Sequence, residues 1–214
     1  MGEASLRHKL FYGVLGGLIS SRRYRQSLAD FVNSLDLKDN SRILDVGCGI
    51  GTVSFALHRK LPYSSILAFD KFRSQIKRAT RYQRIYCLDR IDFYVGDIDT
   101  FPQLVSLDKK IWAKAESYDY IFASGVLEHV DLDKTIAKFS KYLKEDGKFI
   151  DIGIKEALAG KLIKGPMDFK IHSEEDILRA YILAGLDSTE KITLEDKRLE
   201  RFRIAITGKK SKVT

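Results

Sequence analysis

An apolar run meets three glycines at alternate positions in Ile43-Leu44-Asp45-Val46-Gly47-Cys48-Gly49-Ile50-Gly51-Thr52. Glycines let the backbone turn sharply and approach a ligand where a side chain would collide. A helix starting just behind them offers free N–H groups to that ligand. The combination describes a nucleotide cradle at the carboxyl end of a first strand, the alternative being a plain tight βα turn. Two further acids follow at informative places. Asp70 stands 19 residues after Gly51, at the end of a second apolar run, where an acid accepts hydrogen bonds from ribose hydroxyls. Asp97 follows a third run in Val95-Gly96-Asp97-Ile98. A dinucleotide fingerprint requires Gly-x-Gly-x-x-Gly, and Thr52 occupies its sixth position. A third acid beside an adenine is not part of that scheme either.

These residues need a scaffold that brings strand ends together. The pattern alternates short apolar strands at 42–46, 65–69, 91–95, 118–123 and 148–154 with amphipathic helices at 52–60, 72–83 and 132–143. Such alternation builds βαβ units and a parallel sheet, and right-handed crossovers put helices on both faces. The C-terminal part differs. A helix over 173–184 opens on Ser173-Glu174-Glu175-Asp176, a capping box with Asp in place of Glu or Gln, and ends at Gly185. Segments 188–194 and 203–207 can pair antiparallel across the charged stretch 195–200. The expected fold is α/β, Rossmann-like and doubly wound. It has a mostly parallel seven-stranded sheet, an antiparallel C-terminal strand pair and an N-terminal helical lid. The expected division is a helical cap over 1–39, one domain over 40–207 and a basic tail over 208–214.

The glycine loop, the Asp closing strand two, Gly96-Asp97-Ile98 and the run Tyr118-Asp119-Tyr120-Ile121-Phe122-Ala123-Ser124-Gly125-Val126-Leu127-Glu128-His129-Val130 together resemble class I S-adenosylmethionine-dependent methyltransferases of the small-molecule type. The resemblance covers roughly residues 40–154, including the turn Lys144-Glu145-Asp146-Gly147-Lys148-Phe149 before strand five. It implies S-adenosylmethionine as cofactor and no metal. It also implies that Asp45 holds the loop and the methionine amino group, and that Gly47, Cys48, Gly49 and Gly51 line the methionine end. Asp70 would take the ribose hydroxyls, with Lys71 and Phe72 near the adenine. Asp97 would accept from the adenine amino group, the Ile98 backbone would contact the ring, and Ser124 and Gly125 would lie under the sulfonium. Cys48 reads as a small packing residue rather than a nucleophile.

The acceptor then belongs beyond strand four, near 124–130. Glu128 and His129 are the catalytic candidates there. His129 has the pKa range of a general base, or is structural and caps the next helix. His172 is a second pocket candidate, and Tyr12 and Tyr24 are lid candidates. Nucleic-acid amino methyltransferases carry an Asn/Asp-Pro-Pro-aromatic stretch after strand four, and Ser124-Gly125-Val126-Leu127 stands there instead. The expected acceptor is a small or lipid-like molecule. The alternatives are RNA methylation and a non-catalytic S-adenosylmethionine-binding partner protein.

The whole chain has 214 residues, 44% hydrophobic and 31% charged. Those values exclude disordered, collagen-like and coiled-coil classes. Two cysteines exclude a disulfide framework and suggest a reducing, cytoplasmic setting. The net charge of +8 is unevenly spread: residues 71–90 carry seven bases and one acid. Basic clusters suit acidic substrates, nucleic acid or anionic membranes, or are solvated helix faces. Nucleic acid is the less favoured partner. Leu6, Leu10, Val14 and Leu18 recur at helical spacing in the N-terminal segment, which reads as a lid or as a peripheral membrane helix.

Overall fold

A computed structural model describes residues 21–106, 110–112, 114, 117–155 and 170–211. The expected helix over 6–19 and the lid candidate Tyr12 lie outside them. The described chain opens with α1 (Arg22–Ser34), which falls inside the stretch 1–39 expected as a helical cap. The Ser21 side chain caps it by accepting from the Tyr24 N–H. Its buried residues Leu28, Phe31 and Val32, with Leu35 at its end, follow a helical period and pack against the next helix.

The expected order follows. β1 (Arg42–Val46), α2 (Thr52–Lys60), β2 (Ser65–Asp70), α3 (Arg73–Ile85) and β3 (Ile91–Val95) form the first half. β6 (Tyr118–Ser124), a 3-10 turn (Leu127–His129), α4 (Leu132–Ser140) and β7 (Leu143–Ile154) form the second. Then come α5 (Glu174–Leu183), β8 (Leu186–Ile192), α6 (Lys197–Phe202) and β9 (Arg203–Lys210). The imperfect capping box forms, with Ser173 and Asp176 bonding reciprocally.

The seven expected strands are present, and two more extend the sheet. The three-residue strands β4 (Gln103–Val105) and β5 (Lys110–Trp112) pair antiparallel beyond β3. The order is β5-β4-β3-β2-β1-β6-β7-β9-β8. The five strands β3, β2, β1, β6 and β7 run parallel. The stretch 195–200 is partly helical, because Leu199 turns inward to 2% exposure.

Consecutive right-handed crossovers from β1 through β3 place α2 and α3 on one face. The reversal between β1 and β6 places α4 on the other. Two cores result. One joins Val32, Leu57, Ile76 and Ala79 to the sheet; the other joins Ile136, Phe139, Ile177 and Tyr181 to its opposite side. β1, sandwiched by both, is buried and apolar after Arg42 except for Asp45. No helix among the described residues is long and apolar enough to cross a membrane.

Candidate active site

β1 and β6 are adjacent, yet their following helices lie on opposite faces. The loops after them therefore diverge and leave a crevice at the carboxyl ends of the strands. The glycine loop lies on one side of it. Gly47, Gly49 and Gly51 all have positive φ, at 64°, 55° and 84°. That backbone conformation disfavours a side chain at each, and the surroundings of two of them differ. A Cβ on Gly47 would lie 2.4 Å from the Val126 side chain. A Cβ on Gly49 would meet nothing within 4 Å, because that residue borders open space. The loop thus packs at one glycine and leaves room at the next.

Hydrogen bonds tie the loops into one rim. The Cys48 N–H donates to the Phe69 carbonyl, and the Gly96 N–H to the Asp70 carbonyl. Asp70 links two segments through its carboxylate. Oδ2 accepts from the Gly49 N–H at 3.0 Å and Oδ1 from the Phe72 N–H at 2.8 Å. Burial raises its pKa, and those two donors with Lys71 oppose the rise. Beyond β3, Asp97 accepts from the Asp99 N–H, while Lys138 of α4 donates to the Ile98 and Asp99 carbonyls. Lys71 extends over the Phe72 ring, 5.3 Å from its centroid.

Asp45 is the most constrained of the acids. It is 1% exposed. Ser54, the first turn of α2, donates to its Oδ2 at 2.5 Å, and its Oδ1 has no partner. Burial pushes its pKa up to about 7; Ser54 resists the shift and the charge of Asp70 adds to it. Burial, then Asp45 and Asp70, push the Cys48 thiol well up, so it stays protonated and serves packing. A cation held by Asp45 needs the ionised carboxylate. Its affinity is expected to rise about tenfold from pH 6 to pH 8, as the ionised fraction grows around pKa 7. Calorimetric titration at the two values checks this, and a flat profile removes Asp45 from the site.

The opposite side of the crevice is built by β6 and the turn after it. Ser124 ends β6. Gly125 has φ 66° and donates to the Ile152 carbonyl. His129 closes the 3-10 turn on the surface. Burial lowers its pKa; Glu128 opposes that change and Lys71 adds to it. Its imidazole is therefore neutral and able to take a proton at pH 7. Asp131, not His129, caps α4 by accepting from the Lys134 N–H. Glu128 is 3% exposed; its Oε1 accepts from the Ile154 N–H and its Oε2 has no partner. His172 is also buried, with Nε2 at 3.1 Å from the Leu127 carbonyl.

Two further side chains gather there that sequence spacing does not single out. Asp151 of β7 is fully buried with both oxygens unpartnered. Burial and the neighbouring Glu128 hold its carboxyl well above the usual range, against Arg203. Arg203 of β9 is 6% exposed, donates to the Ile152 carbonyl and stacks over the Tyr24 ring at 5.7 Å. Its guanidinium lies where a Cβ on Gly125 would come within 3.1 Å. The signal for Asp151 was present: one acid inside Phe149-Ile150-Asp151-Ile152. Arg203 had none, because only sheet order brings it to Gly125.

A separate depression of about 560 Å³ lies at the amino ends of the strands, lined by Asp36, Lys38, Asp119 and Lys209 among others. It holds none of the expected cofactor or catalytic residues and faces away from the crevice. Among the described residues no group of three or more His, Cys, Asp or Glu could hold a metal ion.

The family model described as a methyltransferase domain matches residues 37–194. Among curated relatives, the sterol 24-C-methyltransferase of Debaryomyces hansenii is 31% identical over 119 residues, 55% of this chain and 29% of that one. Phosphoethanolamine N-methyltransferase 1 of Zea mays is 27% identical over 148 residues, 68% of this chain and 26% of that one. The chain thus spans under a third of the length of either. Among solved structures, geranyl diphosphate C-methyltransferase of Streptomyces coelicolor superposes with TM-score 0.67 at 16% identity, over 88% of this chain and 80% of that one.

Proposed function

The chain belongs to the class I S-adenosylmethionine-dependent methyltransferase family, and from that premise we propose that it methylates a small-molecule or lipid-like acceptor. The observation that carries the reading is Asp45: a fully buried carboxylate whose Oδ1 has no donor suits the ammonium of the methionine moiety. Open space over Gly49 and the nearby Asp70 carboxylate suit the rest of the same ligand. When bound, S-adenosylmethionine supplies an electrophilic methyl on a sulfonium, whose neutral thioether leaves as the acceptor attacks.

The chain's residues do the remainder. Asp70 accepts ribose hydroxyls with lone pairs its two N–H donors leave free, and Asp97 takes the adenine amino group. Ser124 and Gly125 form the floor on the acceptor side. Neutral His129 takes the acceptor proton where the nucleophile carries one. Glu128 acts through the backbone: it holds the end of β7 by the Ile154 N–H and so sets the wall behind Gly125. Alignment of acceptor and methyl supplies most of the rate. The names of two curated relatives, a sterol and a phosphoethanolamine methyltransferase, favour a small or lipid-like acceptor, while a third is named as an rRNA methyltransferase.

Calorimetric titration with S-adenosylmethionine, S-adenosylhomocysteine and NAD tests the cofactor half, with heat expected from the first two only. Binding of NAD alone overturns it. Incubating the protein with methyl-labelled donor and a cell extract tests the acceptor half. Label is expected in the small-molecule or solvent-extractable lipid fraction, and label confined to RNA overturns it.

A further inference from the structure

We propose that the outward face of α3 is a docking surface for an anionic phospholipid membrane. This goes beyond the methyl-transfer reading and does not depend on which acceptor is used. The sequence of the helix, Arg73-Ser74-Gln75-Ile76-Lys77-Arg78-Ala79-Thr80-Arg81-Tyr82-Gln83-Arg84-Ile85, contains no acid. Ile76 and Ala79 turn inward and are its buried residues. Arg73, Lys77, Arg78, Arg81 and Arg84 all point outward and are exposed. None of the five is in an ion pair among the described residues.

Folding alone does not favour this arrangement. Like charges at Arg73/Lys77 and Lys77/Arg81 repel across one turn. Arg73 stands in the first turn, where the helix dipole disfavours a cation. A face kept basic against both effects suits a dense negative partner.

Two partners have that charge, and the apolar side chains choose between them. Ile85 is 63% exposed and Tyr86 57% exposed at the end of the basic face. An aliphatic side chain has no ring for a base to stack on. Tyr82 lies between Phe55 and Tyr86, with ring centroids 4.6 and 4.3 Å away. Both contacts are tilted and leave Tyr82 38% exposed, so it offers a base little free ring. Bases flanked by an exposed aliphatic and tyrosines instead match a headgroup region. There, cations pair with phosphate and serine carboxylates, and amphipathic rings sit at the boundary.

Vesicle co-sedimentation of the full chain tests the proposal. Phosphatidylcholine vesicles with and without phosphatidylserine are compared, with single-stranded and duplex RNA as competitors. The protein is expected to pellet with the anionic vesicles only, less so at high salt. The triple substitution Arg78→Glu, Arg81→Glu, Arg84→Glu is expected to weaken that binding at least about tenfold. The matching triple change to Lys retains it. S-adenosylmethionine titration stays unchanged in both variants and reports intact folding. Equal pelleting with both vesicle types, undiminished binding by the Glu variant, or RNA displacing the protein at equal phosphate concentration each overturns the proposal.

Discussion

Asp45→Asn is expected to stabilise the free protein at pH 8 and to weaken S-adenosylmethionine binding about a hundredfold. The two effects have one cause. The carboxylate is buried, and its pKa is raised to about 7. The folded chain therefore binds its proton more tightly than the unfolded chain does. This contribution to stability is full below about pH 4, declines as pH rises to about 7, and then levels off at a cost on the order of 4 kcal/mol. Asparagine keeps the shape, still accepts from Ser54 and carries no charge. Its advantage should appear at pH 8 and vanish near pH 4. The ammonium loses a charged partner in a desolvated place, worth about 3 kcal/mol, which corresponds to the hundredfold change. Denaturant melts at the two pH values and calorimetry check both halves. A variant that is less stable at pH 8, or that binds normally, refutes the assignment.

Asp70→Ala is expected to act on both properties in the same direction. Its carboxylate accepts from the Gly49 and Phe72 N–H groups, so removal strands two amides at the rim. A stability loss of about 1–3 kcal/mol follows. The Gly49 turn loses its anchor as well as the partner of the ribose hydroxyls, so donor affinity should fall at least about tenfold. Thermal melts and titration with S-adenosylhomocysteine, which shares the adenosyl part, measure the two. Unchanged affinity for that thioether removes Asp70 from the ribose site.

Much of this was legible in the sequence because it is local. The strands 42–46 and 91–95 and the helix 52–60 occur with the expected bounds. The glycine loop is a contiguous motif between two of them. Helix α1 is equally periodic, at Leu28, Phe31, Val32 and Leu35, within the stretch expected as a helical cap, but the apolar run before it carries the stronger signal and hides its bounds. β4 and β5 are three residues each, too short to show an alternation. The Glu128, Asp151 and Arg203 cluster is a different matter. These residues meet only because β7 pairs with both β6 and β9, with Ala123 opposite Asp151 and Ile154 opposite Arg203. Spacing along the chain carries no trace of that.

The placement of β9 bears on how the chain assembles. This strand lies between β7 and β8, and β8 precedes it in sequence yet pairs with no other strand. During synthesis β8 must therefore wait, and β7 must keep an open flank, until residues 203–210 have emerged. The same late segment delivers Arg203 to Gly125, so the acceptor wall is finished only when the last strand slots in. A non-local closing step of this kind is slow and leaves strand edges open to other molecules while it waits. A chain truncated before residue 203 should accordingly be a better client for chaperones than one that carries residues 203–211.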